Sequence, residues 1–181
     1  LGEVSASVHV RSPAEGGAVA GLLSHDRFLS HLETEIVRHR TFGRGLGLLL
    51  LRTARGRSEH LSRWCPRVQH RLLRPVDRVG LYSPSAVEIL LPEVTREALG
   101  ELPRRLQEIT RGQVELRCGV ALLPEAATSS EELLEAARTA MQRATSRAQV
   151  SFAPATDKHA LEVGGEVIVR SPAMKKVYAV V

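Results

Sequence analysis

The sequence predicts an α+β domain of the ferredoxin-like split βαβ (βαββαβ) plan, with an antiparallel central sheet covered by helices. Three observations predict this fold class. Apolar strand-like runs alternate with amphipathic segments in the order β-α-β-β-α-β, and a segment of helical period stands at each end of that order. The two middle strands are separated by a Ser-Pro-Ser turn alone, which makes them a hairpin.

The first half of the predicted domain begins with a helix. Ser24 or Asp26 can cap it, and apolar residues recur at helical spacing through about His39. Residues 46–51 are an uninterrupted apolar run, which is typical of a strand covered on both faces. A helix capped by Ser58 follows and extends through Leu72.

Two prolines and a hairpin mark the middle of the chain. Pro66 is expected to kink the second helix, since proline removes a backbone donor from a helix interior. Residues 76–82 and 86–91 are predicted as the paired strands of the hairpin. A third helix is predicted from the helical spacing of its leucines, although Pro103 stands inside the predicted span without explanation.

The second half ends with a strand, predicted over residues 114–123, and a closing helix. Thr128 or Ser129, followed by two glutamates, gives that helix a capping box. Cys65 and Cys118 fall on apolar positions of a helix and a strand, so we expect reduced core thiols. The seven histidines show no metal-ligand spacing.

Composition excludes several classes of protein. The apolar fraction, 43%, is enough for a core, and no apolar run approaches the roughly 20 residues of a membrane span, so we expect a cytoplasmic location and no membrane partner. Between Arg38 and Arg78 the chain carries eleven arginines against two acidic residues. An arginine-rich solvated surface explains this better than a nucleic-acid interface, which would also need interleaved aromatics.

The hairpin carries a family resemblance. Residues 81–92 read L-Y-S-P-S-A-V-E-I-L-L-P, which resembles the R-Y-G-G-D-E-F-A-I-L-L-P segment of the diguanylate cyclases, the GGDEF family. Residues 19–28 are similar to the family's opening L-T-G-L-P-N-R-R-x-F, and residues 118–124 are similar to S-I-G-V-A followed by a strand end. The closing helix follows the pattern E-L-L-x-x-A-D-x-A-M-Y. The resemblance spans about residues 19–150.

The sequence departs from the family at the positions that bind metal and substrate there. The metal-binding acidic pair of the turn is replaced by Ser85 and Ala86, and the D-I-D after the first strand is replaced by residues 52–54, Arg-Thr-Ala. The guanine-contacting segment is also shortened. The resemblance with these losses implies no catalytic residue, no metal ligand and no cofactor, and therefore a protein that is not an enzyme.

One ligand site of the family is a candidate here. Arg74 and Asp77 stand at the spacing of the R-x-x-D motif, which in many GGDEF proteins binds cyclic di-GMP, and Arg105 lies on the helix after the hairpin. The resemblance implies that the guanidinium groups pair with phosphate or guanine while the carboxylate accepts from guanine N–H groups. The alternative is a surface ion pair between Arg74 and Asp77.

The end of the chain resembles a different family. Residues 167–177, V-I-V-R-S-P-A-M-K-K-V, are similar to the entry of the AAA+ domain of sigma-54-dependent transcription activators. We therefore divide the chain into an N-terminal strand and linker (1–18), a GGDEF-like domain (19–150), a linker (151–166) and the start of an AAA+ domain (167–181).

These resemblances imply a non-catalytic GGDEF-like regulatory domain of a bacterial sigma-54-dependent transcriptional regulator. Its expected partners are its own C-terminal AAA+ ATPase domain and, through it, sigma-54 RNA polymerase, with cyclic di-GMP and a second copy of the chain as further candidates. Two alternatives stay open: an active nucleotide cyclase with an altered metal site, and a dimerisation scaffold without a ligand.

Overall fold

A five-stranded sheet with two helices on each face forms the centre of the computed structural model, which describes residues 19–54, 60–110 and 113–156. The helices are α1 (His25–Phe42), α2 (Cys65–Leu72), α3 (Leu102–Thr110) and α4 (Ser130–Arg143). The strands are β1 (Leu46–Thr53), β2 (Arg78–Ser83), β3 (Ala86–Pro92), β4 (Leu116–Leu123) and β5 (Val150–Phe152). The predicted α+β class is therefore confirmed.

The sheet has the strand order β2-β3-β1-β4-β5, with β1 at its centre. The pairs β1–β3, β1–β4 and β2–β3 are antiparallel, and β4–β5 is parallel. β1 is buried over six consecutive residues, Leu46 to Leu51, as its continuous apolar run predicts.

Side chains of β1 alternate between two apolar layers. Leu48 and Leu50 pack with α1 and α4, whereas Leu49 and Leu51 pack with α2 and α3. Burial of apolar surface stabilises the fold by about 25 cal/mol for each Å², and it is the main stabilising contribution of both layers. The two cysteines belong to the second layer and are free and buried, as expected.

Helix ends follow the capping signals in the sequence. The Ser24 hydroxyl accepts from the backbone N–H of Arg27, and the Ser129 hydroxyl accepts from the backbone N–H of Glu132. Each contact satisfies one of the donors that a helix leaves free at its N-terminus. The predicted cap at Ser58 lies outside the described residues.

Both prolines lie in first turns of helices. α2 begins at Cys65, so Pro66 does not kink it, and the expectation of a kink is wrong. α3 begins at Leu102, which places Pro103 in its first turn. A proline there removes no intrahelical hydrogen bond, because the first N–H groups of a helix have no partner within it.

β5 is absent from the sequence prediction. Val150 pairs with Cys118, and Phe152 pairs with Val120, so the sheet continues past residue 150, where a linker was expected to begin. The backbone N–H of Ala153 also donates to the Val120 carbonyl at 2.7 Å. The predicted segments 1–18 and 167–181 lie outside the described residues.

Candidate functional site

Arg74 and Asp77 lie in the connection between α2 and β2 and form a compact ion pair. The Arg74 side chain donates to the Asp77 carboxylate from Nε at 3.2 Å and from one terminal nitrogen at 2.8 Å. The Arg74 backbone N–H donates to the other carboxylate oxygen at 2.7 Å. The same terminal nitrogen donates to the Pro92 carbonyl at 2.6 Å, which ties the pair to the end of β3.

The two side chains of the ion pair differ in their exposure to solvent. The Asp77 side chain is only 2% exposed, whereas the Arg74 side chain is 47% exposed. The hydrogen bond to Asp77 raises the pKa of Arg74, so this guanidinium stays charged at every physiological pH. Arg74 therefore presents a fixed positive charge to solvent, and Asp77 holds it in place from below.

Arg105 lines the same small cavity as the ion pair of Arg74 and Asp77. Its terminal nitrogen donates to the backbone carbonyl of Arg71 at 3.2 Å, at the end of α2. Arg74, Asp77 and Arg105 line one cavity of about 180 Å³, together with apolar residues of the α2–α3 layer. The fold thus brings together the three residues that the sequence predicts as a site.

A larger hollow opens on the other side of Arg74. Its volume is about 680 Å³, and it lies between α1 and the ends of β2 and β3. Arg38, Arg44, Arg74 and Arg78 line it, together with Glu35 and Glu93 among others. Small-molecule sites are typically about 300–1,000 Å³, so this hollow has the size for a dinucleotide and the 180 Å³ cavity does not.

At the hairpin turn, where the sequence resemblance implies a metal site, the side chains do not fit a divalent cation. The turn consists of Pro84 and Ser85, and Ala86 opens β3 directly opposite Arg52 of β1. On the other side of β1, Arg52 lies opposite Arg117 of β4. Mg²⁺ requires oxygen ligands, which this row of side chains does not offer. Within residues 19–54, 60–110 and 113–156, no cluster of three His, Cys, Asp or Glu could hold a metal.

A buried carboxylate in β3 was missed by sequence reasoning. Glu88 is fully buried on the α1 side of the sheet, and His25 Nδ1 lies 2.9 Å from one of its oxygens. Burial raises the pKa of Glu88, and the hydrogen bond with His25 lowers it only in part. The available signal was one acidic residue inside the apolar run of β3.

No protein-family model and no curated protein matches the chain. Solved structures do: the GGDEF domain of YfiN (TpbB) from Pseudomonas aeruginosa superposes with a TM-score of 0.66 and 18% identity over 76% of this chain and 100% of that one. The GGDEF domain of DgcB from Caulobacter crescentus, solved with c-di-GMP, superposes with a TM-score of 0.62 and 16% identity. The match covers 83% of this chain and 99% of that one. The active GGEEF domain of a diguanylate cyclase from Vibrio cholerae superposes with a TM-score of 0.63 and 12% identity. The match covers 75% of this chain and 99% of that one.

The chain therefore has the fold of a GGDEF domain. The expectation that it is not an enzyme is contradicted, because the structures that share its fold include the GGEEF domain of a diguanylate cyclase, which is described as active. That expectation rested on the side chains at the hairpin turn and at the end of the first strand, and on the shortened guanine-contacting segment. The β2–β3 hairpin is present, and it pairs with β1 through β3.

In the described part of the chain, no helix has the length and apolarity needed to cross a bilayer.

Proposed function

We propose that this chain is a GGDEF-like regulatory domain that binds cyclic di-GMP at Arg74, with Asp77 and Arg105 as supporting residues. The observation that carries the proposal is the position of Arg74. Its guanidinium is half-exposed, held by a buried carboxylate, and lines both the 180 Å³ cavity and the 680 Å³ hollow. A fixed guanidinium suits phosphate recognition because little side-chain freedom is lost on binding.

In our proposal, Asp77 has a different role from the one that the motif implies. Its carboxylate already accepts three N–H groups of Arg74 and is almost fully buried, so it does not face a ligand in the hollow. In our proposal Asp77 orients Arg74 instead of contacting guanine. Arg78 and Arg44, which line the hollow, add positive charge toward the ligand's phosphates.

Arg105 closes the site from the α3 side. It lines the small cavity under Arg74 and bonds to the last carbonyls of α2. In our proposal it fixes the position of α2 and keeps the connection that carries Arg74 in place. The ligand then lies in the hollow, with Arg74 between it and the cavity.

The test is titration calorimetry with cyclic di-GMP at low salt, comparing the wild type with Arg74→Ala. Arg104→Ala is the matched control, because it removes one arginine from α3 that does not line the cavity and pairs only with exposed glutamates. We expect at least a roughly tenfold loss of affinity for Arg74→Ala, since hydrogen bonds between charged groups contribute about 1.5–3 kcal/mol. The control should stay within about twofold of the wild type.

Two results would contradict the proposal. No heat and no thermal shift at high micromolar ligand would leave Arg74 and Asp77 as a structural ion pair. Equal binding by the wild type and a folded Arg74→Ala variant would place the ligand elsewhere. Binding should also weaken with added salt, because Arg74 is half-exposed and ions screen its interaction with phosphate.

We further propose that the domain regulates a sigma-54 activator ATPase in the same protein. The support is the sequence of residues 167–177 alone, which lies outside the described residues. In this proposal, ligand binding changes how the domain packs and the segment after β5 transmits that change to the ATPase. Reading the gene past Val181 tests it: a coding sequence without a Walker-type glycine loop would overturn it.

A further inference from the structure

Two arginines face each other across the centre of the sheet, at the end beside the hairpin turn. Arg52 of β1 is the direct cross-strand partner of Arg117 of β4. Directly opposed side chains in an antiparallel pair have Cβ atoms about 4.5–5.5 Å apart, and like charges in such a pair are destabilising. On the other side, Arg52 is opposed by Ala86, which offers no charge to balance them.

Both guanidinium groups have buried donors without a partner. The Nε atoms of Arg52 and Arg117 are buried, and neither N–H group donates to an acceptor in the structure. Among the described residues, neither arginine takes part in an ion pair. A buried donor left unsatisfied costs free energy that an added acceptor would recover.

Carboxylates near this pair do not neutralise it. Glu88 is two residues along β3 from Ala86 but pairs with His25. Glu115 is two residues before Arg117, and its buried Oε1 likewise has no hydrogen-bond partner. Among the described residues, the two arginines are opposed by Glu115 alone, so the local charge stays positive.

We propose that Arg52 and Arg117 form an anion site that binds a phosphate-bearing ligand directly, without a divalent cation. Guanidinium groups on two directly opposed residues can both donate to the oxygens of one phosphate or diphosphate group. A bound anion would supply acceptors to the unpartnered donors and remove the repulsion between the two arginines. A divalent cation at the same position would add to that repulsion. This site is separate from the one at Arg74 and does not depend on it.

The test uses the full chain with inorganic pyrophosphate in the presence of EDTA, followed by calorimetry and thermal unfolding. A second arm uses GTP with EDTA and distinguishes a nucleotide from the free phosphate group. We expect Arg52→Gln and Arg117→Gln each to weaken pyrophosphate binding at least tenfold. Arg63→Gln is the control, because Arg63 is exposed in a short 3₁₀ helix, Leu61–Arg63, on the α2–α3 side of the sheet, and its loss changes the net charge equally.

A second measurement separates binding from damage to the fold. Without anion, Arg52→Gln and Arg117→Gln should melt at the same temperature as the wild type or higher, because each relieves the repulsion. With pyrophosphate, the wild type and Arg63→Gln should gain thermal stability and the two site variants should not. If one site variant fails to fold, the other carries the comparison.

Three results would overturn the proposal. The first is a wild type that shows neither heat nor thermal shift with pyrophosphate or GTP. The second is an equal loss of binding in Arg63→Gln, which would indicate a general effect of net charge. The third is binding that requires Mg²⁺, which would mean that a metal, and not the arginine pair, holds the phosphate. Pyrophosphate binding unchanged by Arg74→Ala would confirm that the two sites are distinct, and its loss in that variant would overturn the assignment to Arg52 and Arg117.

Discussion

The Asp77 carboxylate accepts three N–H groups from a single residue, Arg74: its backbone amide, its Nε and one terminal nitrogen. This arrangement closes the turn that leads from α2 into β2. The carboxylate is buried and the guanidinium is half-exposed, so the pair does two things at once. It satisfies a backbone donor inside the protein and it fixes the direction of a positive charge outside.

The first prediction is that Asp77 matters more for stability than Arg74. Asp77→Ala removes an acceptor that is charged and buried, and we expect a loss of about 2 kcal/mol in the free energy of unfolding. Arg74→Ala should cost less, about 1 kcal/mol, because the Arg74 backbone N–H still donates to the carboxylate and the lost guanidinium was half in solvent. Urea denaturation of both variants measures the difference. Equal losses, or the reverse order, would contradict the prediction and show that the guanidinium stabilises the turn at least as much as the carboxylate does.

The second prediction concerns Glu88 and pH. Because burial raises its pKa, the folded protein holds this proton more tightly than the unfolded chain does. Protonated Glu88 therefore stabilises the fold below the ordinary pKa of a glutamate, and this contribution is lost as pH rises through the raised pKa. Glu88→Gln cannot ionise, so we expect it to unfold at a higher temperature than the wild type at pH 7 and at nearly the same temperature near pH 4.

Thermal unfolding at a series of pH values checks this second prediction. Glu101→Gln is the control, since Glu101 is exposed on the surface and pairs only with Arg104. Its difference from the wild type should stay small at every pH. A Glu88→Gln variant that is less stable at pH 7 would mean that the pair with His25 outweighs the cost of burial.

The fold and part of the candidate site could be predicted from the sequence, because both depend on local patterns. Helical spacing located helices, two strand-like runs around the Ser-Pro-Ser turn located the hairpin, and the interval from Arg74 to Asp77 is a short-range feature. The opposition of Arg52 and Arg117 could not be predicted in this way. It depends on the register between strands that are 65 residues apart, which no local pattern encodes.

Other differences have similar physical causes. β5 has three residues, too few to show a period of two. The burial of Asp77 follows from how the α2–β2 turn packs, and the spacing of its motif carries no information on that. Pro66 and Pro103, in contrast, carried a usable signal, since proline is common in the first turn of a helix and each could have marked a helix start.

The third prediction is that both thiols are unreactive in the folded protein. Burial raises the pKa of Cys65 to about 11 and also raises the pKa of Cys118, so little reactive thiolate is present at pH 8. We expect a colorimetric thiol reagent to react at least roughly 100-fold more slowly with native protein than with protein in guanidinium chloride. In denaturant both cysteines should react. Fast reaction of either thiol in the native protein would mean that its surroundings open to solvent.

The last prediction concerns the contact between β4 and α4. A Cβ atom on Gly119 would lie 2.1 Å from the Ala137 carbonyl oxygen and 2.2 Å from the Met141 backbone nitrogen, so the helix backbone occupies that space. Gly119→Ala must push α4 away from the sheet, and we expect it to cost about 3 kcal/mol in the free energy of unfolding. Gly43→Ala is the control: it has φ +66 and no atom within 4 Å of the added Cβ, so it pays only the cost of the left-handed conformation, about 1–2 kcal/mol. Urea denaturation compares the two, and a Gly119→Ala variant no less stable than Gly43→Ala would show that α4 does not pack on β4 this closely.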